Sequence, residues 1–281
     1  MHETNSVRKV EIFLFGGLGN QLFQLSKALS MRVNNQDLNI SLNFGLNYDR
    51  DNICNLLDLT SFDIKYRLKK FPRLQHSLLK RKLNPFYKYE YSNCKANDIY
   101  RKRLYGYFQD YRIVLPVISS IEAIFEKSLG ITENATRAEI QGKSIGLHIR
   151  QGDYVSNNVY TNLKYDYYYA ALTEIVNHWN KNIDELRIFS DSSLDSNPIT
   201  EQIARDFPDL KISLRISDGK SDILDLIEMS REKYLICANS TFSWWAAALN
   251  ADRKVFIARP KRYFLNGETP SFLYPDEWWS C

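Results

Sequence analysis

The chain has 281 residues, 44% hydrophobic and 25% charged, a composition that excludes a disordered or fibrous protein and allows one large or two modest domains. A net charge of +4 is too small to imply a nucleic-acid partner. Cys54, Cys94, Cys237 and Cys281 are scattered without metal-ligand spacing, which fits a reduced, cytoplasmic setting.

The first apolar run, Val10–Phe15, is interrupted by Glu11 and is too short for a signal segment, so it reads as a strand. GGLGNQ (16–21) follows. Leu22, Leu25, Leu29 and Val33 then fall near one helical face. LNISLN (38–43) reads as the next strand. Between Lys65 and Arg103, thirteen lysines and arginines stand against only Glu90 and Asp98, which puts that segment at +11 and the remainder at −7. Pro72 and Pro85 interrupt it, and its secondary structure cannot be assigned from pattern. LYGYF (104–108) reads as a strand, and a helix is expected from Pro116 to Leu129.

The polar stretch 131–143 is the expected domain junction. Beyond it, strands and helices alternate. SIGLHI is a strand, YDYYYAALTEIVNHW a helix, LRIFS a strand, PITEQIARDF a helix and KISLRI a strand. SDILDLIEMS, YLICAN, TFSWWAAALN and KVFIA continue the alternation. That spacing argues for parallel sheets covered on both faces, hence an α/β chain of two βα domains with a cleft between them. No stretch approaches the ~20 apolar residues of a membrane span, so the expected protein is soluble or bound peripherally to a membrane.

Ligands of parallel βα sheets bind beyond the carboxyl ends of the strands, and three strings stand at such ends. In GGLGNQ, Leu22 occupies the place of the third glycine of a dinucleotide fingerprint. What remains is either a tight turn or a backbone approach to a ligand, ending at a helix N-terminus with Asn20 and Gln21 as hydrogen-bonding side chains. In HIRQGDY (148–154), Arg150 offers a planar, permanently charged fork for a diphosphate, with Asp153 to orient it or to accept from a sugar hydroxyl; the plainer alternative is an Arg–Asp salt bridge closing the strand. His148 shares a sheet face with Arg150, and a satisfied core histidine is the plainer reading for it. In ANSTFSWWAAALN (238–250), Asn239 or Ser240 caps a helix, and Thr241 and Ser243 add hydroxyls to a phosphate seat. Trp244 and Trp245 read as core. Asp191, after LRIFS, either binds ligand or caps the next helix. Asp49-Arg50-Asp51 spells a D-x-D metal motif, but the arginine between the acids works against it.

Taken in order, GGLGNQLFQ, GYFQ (106–109), HIRQGDY, IFSDS (188–192) and NSTFSWWAAALN resemble the α-1,2-fucosyltransferases of glycosyltransferase family 11, bacterial type, from Phe15 to about Trp278. The resemblance implies two Rossmann-like domains facing a cleft, a GT-B-like fold. Residues 1–130 would form the acceptor side and 131–281 the GDP-fucose side. It further implies inverting, metal-independent transfer of fucose to the 2-hydroxyl of a terminal galactose, without a cofactor. By position, Arg150 would bind the diphosphate with Asp153 in support. Ser240, Thr241 and Ser243 would line the phosphate seat, and Asn20 with Gly17 and Gly19 would lie near the fucose. One departure is Gln151, where many members carry a second arginine. Asp153 and His148 are the candidate bases.

The basic segment Lys65–Arg103 reads as a solvated face or as a contact for an anionic membrane surface or a lipid-linked glycan acceptor. Two rival functions stay open: a non-catalytic nucleotide-sugar or glycan-binding protein on the same fold, and a fucosyltransferase of another linkage.

Overall fold

A computed structural model describes residues 9–34, 38–45, 53–59, 65–69, 88–90, 103–130, 143–151, 161–179, 183–217, 222–265 and 269–281. The chain divides into two compact units, Met1–Thr132 and Glu133–Cys281, and the division falls inside the polar stretch 131–143.

In the N-terminal unit, β1 (Lys9–Leu14) leads into α1 (Leu18–Asn34) and then β2 (Asn39–Gly45). The short α2 (Ile53–Leu56) precedes β3 (Lys65–Lys69), β4 (Lys88–Glu90) and β5 (Arg103–Gly106). The strands form one parallel sheet in the order β3-β2-β1-β5-β4. The two strands within the basic segment, β3 and β4, are the two edges of this sheet. The strand expected over 104–108 ends at Gly106, because Phe108 turns the chain with a φ of 53°. The helix expected from Pro116 starts earlier. Asp110 caps α3 (Tyr111–Val114) by accepting from the Arg112 amide, and a 3₁₀ turn over Leu115–Val117 carries the chain into α4 (Ile118–Leu129).

In the C-terminal unit, β6 (Ser144–Ile149) precedes α5 (Tyr165–Glu174), which runs on as a π turn over Ile175–Trp179. There follow β7 (Glu185–Ser190), α6 (Pro198–Asp206), β8 (Lys211–Ile216), α7 (Asp222–Ser230) and β9 (Tyr234–Ile236). The unit closes with α8 (Thr241–Ala248), β10 (Phe256–Arg259) and β11 (Trp279–Ser280). Its six parallel strands lie in the order β11-β10-β9-β6-β7-β8.

All of β6 is buried, as a central parallel strand covered on both faces must be. Its two faces differ in chemistry. Ile145, Leu147 and Ile149 join a core with Tyr168, Leu172, Ile175 and Ile203. Ser144, Gly146 and His148 alternate with them and face the other way. There Gly146 lets Glu232 close in: a Cβ at 146 would sit 2.6 Å from Glu232 Cγ. Glu232 is 2% exposed and takes Arg187 Nη1 at 2.7 Å and the Ser144 hydroxyl at 2.6 Å. Burial raises the Glu232 carboxyl, against the lowering pull of Ser144 and Arg187. No helix among the described residues is long and apolar enough to cross a membrane.

Candidate functional site

The glycine-rich string and GYFQ meet at the carboxyl ends of β1 and β5. Gly16 has a φ of +84°, a left-handed turn that favours glycine, and a Cβ there would come within 2.7 Å of the flexible end of the Asn20 side chain, its Nδ2. Gln21 Nε2 donates to the Gly16 carbonyl at 3.0 Å, while its Oε1 accepts from the Ile53 amide at 2.9 Å. Gln24, fully buried, accepts from the Phe15 amide at 3.0 Å and donates to the Gly106 carbonyl at 3.1 Å. Gln109 Nε2 in turn donates to Asn20 Oδ1 at 2.9 Å. Phe15 stacks on Tyr105 with ring centres 4.4 Å apart. The two strings are therefore one local structure, held by amide side chains. Gly17 and Asn20 are half-buried in it and Gly19 is buried.

HIRQGDY and IFSDS likewise come together, at the ends of β6 and β7. The register pairs Ile149 with Ser190, which carries Arg150 and Asp191 to the same level just beyond the sheet. Arg150 Nη1 lies 3.0 Å from Asp191 Oδ2, and each side chain is 18% exposed. The other Asp191 oxygen accepts the Gln151 amide at 2.9 Å. Asp191 thus holds both the guanidinium and the backbone next to it.

Arg150, His148 and Asp191 line an open recess with about 410 Å³ of empty space, part of it continuous with solvent. Phe189, Ser190, Arg215 and Ser217 line it from β7, β8 and the turns after them. Asp222, Asp225 and Met229 line it from α7, and Phe242 from the first turn of α8. His148 is 3% exposed, and its Nδ1 has no hydrogen-bond partner among the described residues. Burial first, and the charge of Arg150 second, push its pKa down to about 3. It is neutral near pH 7, a hydrogen-bonding group and a poor proton acceptor. Its backbone carbonyl receives the Tyr168 hydroxyl at 3.4 Å, and its ring centre is 6.0 Å from that of Phe242.

The other residues marked in the sequence are placed as follows. Ser240 caps α8, its hydroxyl accepting the Phe242 amide at 3.1 Å. Thr241 is half-buried at the first position of the helix. Ser243 is fully buried, and its hydroxyl lies 3.1 Å from the Ala238 carbonyl and 3.3 Å from that of Ser240. Asn239 Nδ2 donates to the carbonyls of Thr161, at 2.6 Å, and Tyr263, at 3.1 Å. The side chains of Asn239 and Ser243 are thus engaged in holding the strand-to-helix turn. Trp244 donates to the Leu273 carbonyl at 2.7 Å and is buried with Trp245. Asp153, Asp49 and Asp51 lie outside the described residues, and so does most of the stretch 65–103. Among the described residues no three His, Cys, Asp or Glu side chains group as metal ligands.

The recess also draws in Arg215, Ser217, Asp222, Asp225 and Met229, which no motif had marked. The one signal for the acids was their spacing, three apart at the start of a helix, which puts both on one side of its first turn.

Residues 100–278 match the family model of glycosyl transferase family 11. The O-antigen biosynthesis glycosyltransferase WbnK of Escherichia coli is 28% identical over 303 aligned positions, covering 94% of this chain and 98% of its own. An α-1,2-colitosyltransferase of Escherichia coli is 30% identical, covering 94% of this chain and 96% of its own. Among solved structures, a NodZ α-1,6-fucosyltransferase soaked with GDP-fucose aligns with a TM-score of 0.45 at 14% identity, covering 86% of this chain and 92% of that one.

Proposed function

This chain belongs to glycosyl transferase family 11, and from that premise we propose that it transfers L-fucose from GDP-β-L-fucose to the 2-hydroxyl of a terminal galactose, with inversion and without a metal. Glycosyl transfer itself follows from family membership and from relatives that match over 94% of the chain. The observation that carries the donor assignment is the setting of Arg150. It lines an open recess and is aimed by a carboxylate that also grips the neighbouring amide.

In this reading the acceptor oxygen attacks the anomeric carbon as the bond from that carbon to the phosphate oxygen breaks. The acceptor proton is released, and GDP departs with the electron pair. Charge builds on the departing diphosphate, and a guanidinium already fixed in place stabilises it without reorganising. That is the service a divalent ion provides in metal-dependent transferases, hence the expectation of metal independence. His148 presents a neutral imidazole to the recess, suited to hydrogen bonding with the donor rather than to taking the acceptor proton. The donor is assigned to the C-terminal unit and the acceptor to the N-terminal one.

A second reading of the donor has a specific observation behind it, the α-1,2-colitosyltransferase relative. Colitose lacks one ring hydroxyl of fucose, so a fucose site and a colitose site differ by a single hydrogen-bonding position. The experiment is an acceptor panel with GDP-fucose and GDP-colitose in the presence of EDTA, with linkage analysis of the product. A fucosylated galactose joined through O2 is expected. Transfer from GDP-colitose alone would establish the second reading, and no transfer from either donor would overturn both.

A further inference from the structure

The face of the C-terminal sheet that bears the recess is organised in cross-strand rows. His148 on β6 pairs with Phe189 on β7, and Phe189 pairs with Arg215 on β8. In a parallel sheet such partners project from the same face. A row nearer the start of the strands holds Gly146, Arg187 and Ser213. The outer row and the residues just beyond it line the recess, with Arg150 from the β6 end and Arg215 from β8.

The side chain of Arg215 is 46% exposed, at the edge of the sheet, yet it is not loose. Its Nε donates to Glu228 Oε1 at 3.1 Å. The same Glu228 oxygen also takes Arg187 Nη2, and Arg187 is locked in turn onto the buried Glu232 through Nη1 at 2.7 Å. The tether therefore runs from Arg215 through Glu228 and Arg187 to Glu232, which sits over Gly146 in the middle of the sheet. An arginine tied through Nε keeps its terminal nitrogens for other acceptors. Of these, Nη1 is 3.5 Å from the Leu214 carbonyl, at the outer limit of a hydrogen bond.

Charge balance gives that tether a purpose. The recess is lined by three carboxylates, Asp191, Asp222 and Asp225, and by two guanidiniums, Arg150 and Arg215. Arg150 already faces Asp191. Gln151, next to it, is uncharged, and its backbone N–H donates to the same carboxylate. Of the two cations lining the recess, Arg150 is already engaged by Asp191, and Arg215 is the one that can bring a second positive charge to an anionic ligand.

We propose that Arg215 is the second cation of the donor site, reaching the diphosphate of a nucleoside-diphosphate sugar from β8 while Glu228 holds it in place. This rests on the donor reading of the recess given above. It places the second positive charge two strands away from Arg150 rather than beside it, where Gln151 stands.

Calorimetry with GDP, inorganic pyrophosphate and guanosine, on the intact protein and on Arg215→Gln, tests the assignment, together with donor KM and kcat. In Arg215→Gln the Kd for GDP and for pyrophosphate rises roughly ten- to a hundredfold, the range for a charge-assisted hydrogen bond, while guanosine binding is unchanged. Donor KM rises with it. Arg215→Lys, which keeps charge without the fork, recovers part of the loss. Adding Gln151→Arg to Arg215→Gln restores GDP affinity, a rescue that a merely structural Arg215 would not permit. Unchanged GDP and pyrophosphate affinity in a folded Arg215→Gln overturns the role of Arg215 and leaves the donor reading standing. Equal weakening of guanosine overturns the diphosphate contact. An intact protein that binds no GDP overturns the donor reading and this proposal together.

Discussion

The most direct test of the recess is removal of its inner guanidinium. Arg150→Ala deletes an ion pair of 3.0 Å between two side chains that are each 18% exposed. Fully exposed pairs contribute about 1 kcal/mol or less, whereas breaking a fully buried pair costs about 3–5 kcal/mol. The present pair lies between these limits, and Asp191 keeps the Gln151 amide at 2.9 Å after the change. A destabilisation of about 1–2 kcal/mol follows, against the roughly 5–15 kcal/mol of a typical domain, so the variant stays folded. Catalysis is affected far more. A preorganised contact to charge that develops in the transition state is typically worth about a hundred- to a thousandfold in kcat.

The assay is initial-rate transfer from GDP-fucose, with circular dichroism and urea unfolding on the same preparation. Arg150→Ala is expected to lose at least about a hundredfold in kcat while its unfolding stays cooperative. Arg150→Lys should recover a fraction, since a point charge replaces a planar fork. Turnover within a few-fold of the parent, in a variant that unfolds cooperatively, would refute the assignment of Arg150 to the leaving group.

Three further outcomes follow from the described contacts. Gly146→Ala must displace Glu232 from above β6, where the added carbon would meet it at 2.6 Å. Urea titration should show a loss of about 1–3 kcal/mol, as for other overpacked cores. Gln24→Leu strands the buried Phe15 amide and Gly106 carbonyl, at about 1–3 kcal/mol each by the same measurement, and loosens the turn at Asn20. For His148, burial lowers the folded-state pKa to about 3, below the ordinary value near 6.5. As pH falls, the unfolded chain therefore takes up the proton first. Stability present above about pH 6.5 drains away between there and about 3, with a slope of up to ~1.4 kcal/mol per pH unit. His148→Gln should flatten that slope in urea titrations across the same range, and an unaltered slope would show that the imidazole is not held neutral.

Local pattern carried a large part of the architecture. The alternation of the second half became β6 to β10 with their helices because short apolar runs that bury both faces, such as β6 and β9, are separated by helical segments at the spacing of parallel βα units. The failures came where a neighbour decides the outcome. Pro116 looked like a helix start, but Asp110 caps an earlier turn. Phe108 reads as β-rich, yet it turns the chain with a positive φ. β3 and β4 hold edge positions in a segment so rich in lysine and arginine that no period is visible, and their partners β2 and β5 define them.

The candidate site divides in the same way. Arg150 and Asp191 stand in strings at strand ends, where a parallel sheet exposes its ligand side, so their place was readable. Arg215 stands in KISLRI, which alternates like any edge strand. Only the register of β7 against β8 brings it level with Phe189 and His148. Asn239 and Ser243 show the converse. Their polar side chains beside a helix start looked like ligand contacts, but in the fold they hold the turn that aims α8. Gln21 and Gln24 play the same part after β1. A conspicuous polar string at a strand end therefore mixes residues that build the turn with residues that the turn presents. What separates them is whether the backbone nearby already has a claim on the side chain. Arg150 and Arg215 both line the recess and are each held by a carboxylate, Asp191 and Glu228, and they are the positions at which substitution should change chemistry before it changes the fold.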